Sequence, residues 1–326
     1  MMIIDWQHHC SPEEVLRKRG GQAGRPFIQN GKVGMHLYQE VYQIDKQLDF
    51  MDRAGIDLAV LSATLDSVED CKMTDDMYAR ILKEHGDRFA CLAPCIPTRG
   101  QEALDELERA IELGMHGVVI SPQNDGEPLD SLKLWPFYEA VLRLKIPVFV
   151  HITNIPTGYE ALDARYNLNV IFTREVDIAA NVLRLILGGV LAEFPDLTFV
   201  MSHLGGGITA ILERIERYVH FWGEKIWTEL GTEPPFGEPY KDKFQEYFDR
   251  IYFDMAGYEG GMRAVKWALT RIKPERLLFG TDYPYNFTND PQGVKRYIEN
   301  IRALDLPVDS IEGMLGNNAA KILGIC

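Results

Sequence analysis

The sequence predicts an α/β chain folded as a single (β/α)8 TIM barrel. Three observations predict it. Eight short apolar, β-branched runs recur along the chain, at 2–9, 58–63, 89–94, 117–121, 147–153, 198–204, 250–256 and 276–283. Most are apolar without a break, as strands of a parallel sheet covered on its outer face must be. Helical stretches lie between them, and alternating strands and helices close naturally into a parallel barrel. An open doubly wound sheet is the rival, but QHHCSPEE after the first run is not the glycine-rich phosphate loop such a sheet carries there.

Taken in order, the first run is MIIDWQHH. IDKQLDFMDRAG (44–55) has apolar residues at helical spacing and ends in Gly55, a C-cap residue. GQEALDELERAIELG (100–114) is the clearest amphipathic helix. Helices over 134–145 and 174–195 precede the fifth and sixth strands, and one over 208–222 follows the sixth. Two segments break the rhythm and are expected as extended loops over the barrel mouth. Residues 16–42, after strand one, carry five glycines with Arg17, Lys18, Arg19, Arg25 and Lys32. Residues 223–249, after the sixth helix, include Trp227, Pro234, Pro235, Phe236 and Tyr240, and are as readily a subunit contact. No linker composition appears, so residues 1–326 are read as one domain.

Of 326 residues, 46% are apolar and 25% charged, enough core to fold without a disulfide or structural metal. The formal charge of −14 argues against a nucleic-acid partner, which needs clustered cations. It also means that an acidic substrate needs a locally positive pocket. The five cysteines, Cys10, Cys71, Cys91, Cys95 and Cys326, are odd in number and lack paired metal spacing. They read as reduced thiols of a cytoplasmic protein. Neither a membrane span nor a signal peptide is expected.

In such a barrel the active site lies at the C-terminal strand ends. There the sequence concentrates Gln7, His8 and His9 on strand one, His151 on strand five, His203 on strand six and Asp282 on strand eight. Gln7 and His9 are two apart, so they share one strand face, and His8 takes the other. With His151 and Asp282 they make a four-ligand set suited to one divalent ion, Zn or Mn. A lone histidine in a strand is more often a satisfied core residue, and Asp282 in GTDYP also fits a turn cap. The coincidence of all four at strand ends favours the site. His203, before three glycines, is read as a catalytic side chain rather than a ligand. Cys10 lacks an activating partner. Arg17, Arg19, Arg25 and Lys32 are candidates to pair a substrate carboxylate, against the alternative of a solvated loop. Trp6, Trp227 and Phe236 either wall the pocket or fill the core.

These residues resemble the amidohydrolase-2 branch of the amidohydrolase superfamily, in which aminocarboxymuconate-semialdehyde, γ-resorcylate and 5-carboxyvanillate decarboxylases and 4-oxalomesaconate hydratase belong. The likeness runs through MDRAGIDLAVLS (51–62), HGDRFACLAPCIP (85–97), LGMHGVVIS (113–121), PVFVH (147–151), LILGGVLAEFPDLTFVMSHLGGG (185–207), YFDMAG (252–257), LLFGTDYP (277–284) and GNNAAKILGI (316–325). The resemblance implies His9, His151 and Asp282 as metal ligands and His203 as the catalytic histidine. The family's first strand carries H-x-H or E-x-H, and Gln7-x-His9 departs from it. A neutral amide oxygen is the weaker ligand. By analogy with the E-x-H members, the expected activity is non-oxidative decarboxylation of an aromatic or unsaturated carboxylic acid, a carboxy-lyase reaction. Asp282 or His203 would then protonate the ring carbon. The alternatives are a metal-assisted hydrolase or hydratase of a lactone, amide or enol acid, and a non-catalytic binding protein on a degenerate barrel. Resemblance also implies a homo-oligomer, a dimer or larger.

Overall fold

The computed structural model describes residues 2–19, 26–29, 32–36, 38–152, 156–163, 166, 168–222, 243–257 and 261–325. Eight parallel strands stand side by side in chain order: β1 (Ile4–His9), β2 (Leu58–Ser62), β3 (Phe89–Pro94), β4 (Gly117–Ile120), β5 (Val148–Val150), β6 (Phe199–Met201), β7 (Tyr252–Asp254) and β8 (Leu277–Leu278). The ring closes where the end of the chain's last strand meets β1. There Trp6 N donates to Phe279 O at 2.8 Å, Asp282 N to Gln7 O at 2.9 Å and His9 N to Tyr283 O at 2.7 Å. The main helices are α1 (Glu13–Lys18), α2 (Ile44–Ala54), α3 (Val68–His85), α4 (Gln101–Glu112), α5 (Trp135–Leu144), α6 (Arg174–Leu187), α7 (Leu212–Trp222), α8 (Met262–Ala268), α9 (Pro291–Arg302) and α10 (Asn318–Leu323).

The core has two layers. Inside the ring, Ile4, Trp6, Leu58, Val60, Leu92, Val119, Phe149, Val200, Tyr252 and Leu278 form one cluster. Trp6 is fully buried and meets Phe149 edge-on at 6.0 Å, so it is the floor under the site rather than its wall. The alternate residues of the same strands, Ala59, Leu61, Cys91, Val118, Val150 and Phe253 among them, pack outward against the helices.

Strand β1 would put Trp6 and Gln7 on opposite faces if its pleat were regular. It is not regular: Asp5 pairs with Ala59 but His8 pairs with Leu61, so β1 carries one extra residue. This bulge re-aims the chain. Trp6 lies in the interior cluster, and Gln7 and His9 both reach the residues above it, while His8 turns outward. His8 Nδ1 bonds Asp5 Oδ2 at 2.8 Å, and Asp5 also accepts from Thr281 N (2.8 Å) and Thr281 Oγ1 (2.6 Å). This buried network clamps β1 to the segment after β8 and fixes the position of Asp282.

Several sequence-derived boundaries shift. Helix α2 ends as expected, with Gly55 left-handed at φ +78°. The stretch 174–195 is two helices, because Gly189 at φ +81° ends α6 and starts Val190–Glu193. The stretch 208–222 opens with a 3-10 turn, Ile208–Ala210, before α7. The sequence reading places no helix at α1, α3, α8, α9 or α10, although Ser67 caps α3 by accepting from Asp70 N at 3.1 Å, a contact of about 1 kcal/mol. Residues 16–42 are not simply a loop: they contain the end of α1 and an antiparallel hairpin, Pro26–Gln29 with Lys32–His36. Arg25, Trp227, Pro234, Pro235, Phe236 and Tyr240 lie outside the described residues. No helix among the described residues is long and apolar enough to cross a membrane.

Candidate active site

His9, His151 and Asp282 converge above the interior cluster. One ligand atom from each lies within 4.8 Å of the others, and all three residues are buried. His9 Nε2 donates to Asp282 Oδ1 at 2.8 Å, and its ring packs 4.6 Å from that of His151. Gln7 joins them: its Nε2 donates to Asp282 Oδ1 at 2.7 Å and lies 3.1 Å from His203 Nε2 and 3.2 Å from His151 Nε2. The four residues expected as a ligand set, and the expected catalytic histidine, therefore meet at one point.

Their protonation suits a cation. Burial, followed by the proximity of His9, pushes His151 well below the usual imidazole range, so it is neutral with a lone pair to offer. Burial works to raise Asp282, but the hydrogen bond and charge of His9 hold it at about 2, fully ionised. Gln7 Oε1 is a buried oxygen with no hydrogen-bond partner. Two imidazole nitrogens, one carboxylate and one uncommitted amide oxygen are a donor set that fits Zn²⁺ or Mn²⁺.

His203 lies two residues past the end of its strand, as Asp282 lies four past the end of β8. Strand β6 stops at Met201, and His203 opens a left-handed turn with φ +53° at His203, +51° at Leu204 and +64°, +66° and +73° at Gly205, Gly206 and Gly207. Each of the two non-glycine residues costs about 1–2 kcal/mol there. Buried Asp254 offsets part of this by accepting from His203 N and Ala256 N, both at 3.0 Å, bonds worth about 0.5–1.5 kcal/mol each. Glycine is required in the turn, since a Cβ on Gly206 would sit 2.0 Å from Glu175 O. That close approach brings His203 Nδ1–H to Glu175 Oε1 at 2.8 Å. Nε2 is left facing Gln7 and Asp282 Oδ2, the latter at 4.0 Å. Burial alone would lower His203, yet Glu175 raises it to about 9.

Three contributors escaped the sequence reading: Arg174, Glu175 and Asp254. Arg174 is buried and exchanges electrostatic influence with Asp282, Glu175, Tyr285 and His151. The signal was available for the first two, because the first turn of a helix that follows a barrel strand faces the site. Tyr285, whose ring lies 5.1 Å from His9, also lines a cleft of about 460 Å³ with Tyr38, Phe287 and Arg296.

The arginines expected to meet a carboxylate are engaged elsewhere. Arg17 pairs with Glu13 at 2.6 Å on an exposed turn of α1. Arg19 pairs with Asp66 at 2.8 Å and donates to Thr64 O. Cys10 is fully buried, and burial pushes its thiol up to about 12, which removes it as a nucleophile at neutral pH.

Comparison with known proteins agrees with the fold. The chain is 26% identical over 303 residues to a γ-resorcylate decarboxylase of Polaromonas sp., covering 86% of this chain and 88% of that one. It superimposes on the crystal structure of 5-carboxyvanillate decarboxylase from Sphingomonas paucimobilis with a TM-score of 0.82 at 21% identity, covering 100% and 99% of the two chains. A dihydroxybenzoic acid decarboxylase from Polaromonas sp., solved with bound manganese and the inhibitor 2-nitroresorcinol, gives 0.77 at 21% identity, covering 99% and 97%. The family model described as amidohydrolase matches residues 4–325, and the chain belongs to that family.

Proposed function

We propose that this protein is a metal-dependent, non-oxidative decarboxylase of an aromatic or unsaturated carboxylic acid. The observation that carries this reading is the convergence of His9, His151 and Asp282 with His203, whose Nε2 faces the same spot. The decarboxylase relatives support it. His9, His151 and Asp282 would hold a Zn or Mn ion, with Gln7 as fourth partner. Such an ion would supply Lewis-acid charge at the site. Arg174 adds the local positive charge that a chain of net charge −14 needs at an acid-binding site.

Within this arrangement the residues divide the work. Asp282 is ionised and has no proton to give. His203 is the proton donor: Glu175 holds Nδ1, and Nε2–H is directed at the substrate carbon that bears the carboxylate. That carbon takes the proton, the carbon–carboxylate bond breaks, its electron pair returns to the ring, and CO₂ leaves. His203 then regains a proton from solvent. Burial of the cluster keeps water from competing for the proton.

The test is CO₂ release from a panel of hydroxybenzoates, with elemental analysis of protein purified without chelator. Release that needs metal and is lost in His151→Ala and Asp282→Asn is the expected result. Net addition of water without CO₂, or turnover that survives both substitutions, overturns the reading.

A further inference from the structure

Gln7 reaches into the ligand cluster. Its amide nitrogen, not its oxygen, faces the cluster and donates to Asp282 Oδ1 at 2.7 Å. That nitrogen also lies 3.1 Å from His203 Nε2 and 3.2 Å from His151 Nε2. The oxygen, meanwhile, is buried without a partner. The donor end is crowded by three polar atoms and the acceptor end is idle. A half-turn of the amide plane exchanges them. It would put the oxygen among the two imidazoles and the carboxylate, which is the arrangement a cation demands. The backbone need not move, and Gln7 O keeps its bond from Asp282 N at 2.9 Å.

We infer that Gln7 is a two-position amide that governs metal loading: its nitrogen end substitutes for the cation in the metal-free site, and its oxygen end turns in as a ligand when a divalent ion enters. Metal binding must then displace an internal hydrogen-bond network and gains only a neutral ligand in return. The site would load and release its ion according to supply. The inference rests on the metal-site reading above and concerns only what Gln7 does in it.

The experiment uses the full chain stripped of metal, with Mn²⁺ binding followed by equilibrium dialysis and metal-free stability followed by thermal melting. Gln7→Glu places a charged ligand at the same reach, and its metal affinity is expected to rise about ten-fold or more. Gln7→Met keeps the volume, cannot donate, and offers only a weak acceptor that is a poor Mn²⁺ ligand. Its metal-free form is expected to melt about 2–4 °C below the wild type, because Asp282 loses a donor. Its Mn²⁺ affinity should not fall by more than about three-fold, since competitor and ligand go together. Unchanged Mn²⁺ affinity in Gln7→Glu together with an unchanged melting point in Gln7→Met overturns the inference while leaving the metal site standing, provided His151→Ala abolishes binding. Mn²⁺ affinity that collapses in Gln7→Met with no change in metal-free melting makes Gln7 a plain ligand and also overturns it. Failure of Mn²⁺ to bind any form, Gln7→Glu included, removes the metal-site reading and this inference together.

Discussion

The Nδ1–H of His203 donates to the carboxylate of Glu175 at 2.8 Å, tying the left-handed turn after β6 to the first turn of α6. The bond selects the tautomer and aims Nε2 at the metal centre. Glu175→Gln keeps the size but loses the charge, and kcat is expected to fall about 100-fold with KM little changed. Glu175→Asp should recover part of the loss. Steady-state kinetics decide it. Equal changes in kcat and KM, or no rescue by Asp, would remove Glu175 as the residue that positions His203.

Gly257 lies against the other side of the same ring. A Cβ there would come within 2.9 Å of His203 Cγ and Cδ2, and its φ of +81° disfavours any side chain. Gly257→Ala should displace the imidazole and lower kcat about 10- to 100-fold, the scale of a sub-ångström to 1 Å misplacement. Metal content, set by other residues, should stay the same. Wild-type kcat in this variant would show that the ring is not held by that contact.

Arg174 is the cation expected to meet the substrate carboxylate. Arg174→Met removes a bond to a charged group worth about 1.5–3 kcal/mol, so KM for the acid should rise about 10- to 150-fold. Inhibition by a neutral phenol lacking the carboxylate should change far less. If both ligands weaken alike, Arg174 shapes the pocket and does not recognise the acid.

Asp75 of α3 is fully buried beside Glu106 of α4, among Cys71, Tyr78, Cys91, Cys95, Asp76 and Arg109. Burial first, and Glu106 next, push its carboxyl well above the usual range. The sign follows from linkage. The folded state holds the proton more tightly than the unfolded chain, so this contribution is complete below the unfolded value of about 4 and is lost steadily as pH rises toward the folded value. Asp75→Asn should therefore be more stable than the wild type at pH 8 than at pH 5, by a difference on the order of 1–3 kcal/mol. Urea unfolding at the two pH values measures it, and parallel pH dependences of the two proteins would refute the assignment.

The order of the barrel was written in the chain itself. Eight apolar runs, with helical spacing between them, fall on all eight strands. Local periodicity carries this information because burial on a strand or a helix repeats every two or 3.6 residues. The cluster of Gln7, His9, His151 and Asp282 was legible for a related reason: strand ends in a closed barrel share one rim, so residue types at those ends declare the site. What no local pattern could show was geometry that depends on distant partners. The bulge in β1 appears only when Asp5 and His8 are set against Ala59 and Leu61. The left-handed turn at His203 exists because Asp254, 51 residues away, accepts its amide proton, and Glu175 finds His203 only through a glycine that lets two elements touch. The same holds for the orientation of the Gln7 amide, which is decided by a carboxylate 275 residues further on. Hydrogen bonds of that span are set by the closure of the ring, and only the folded structure contains them.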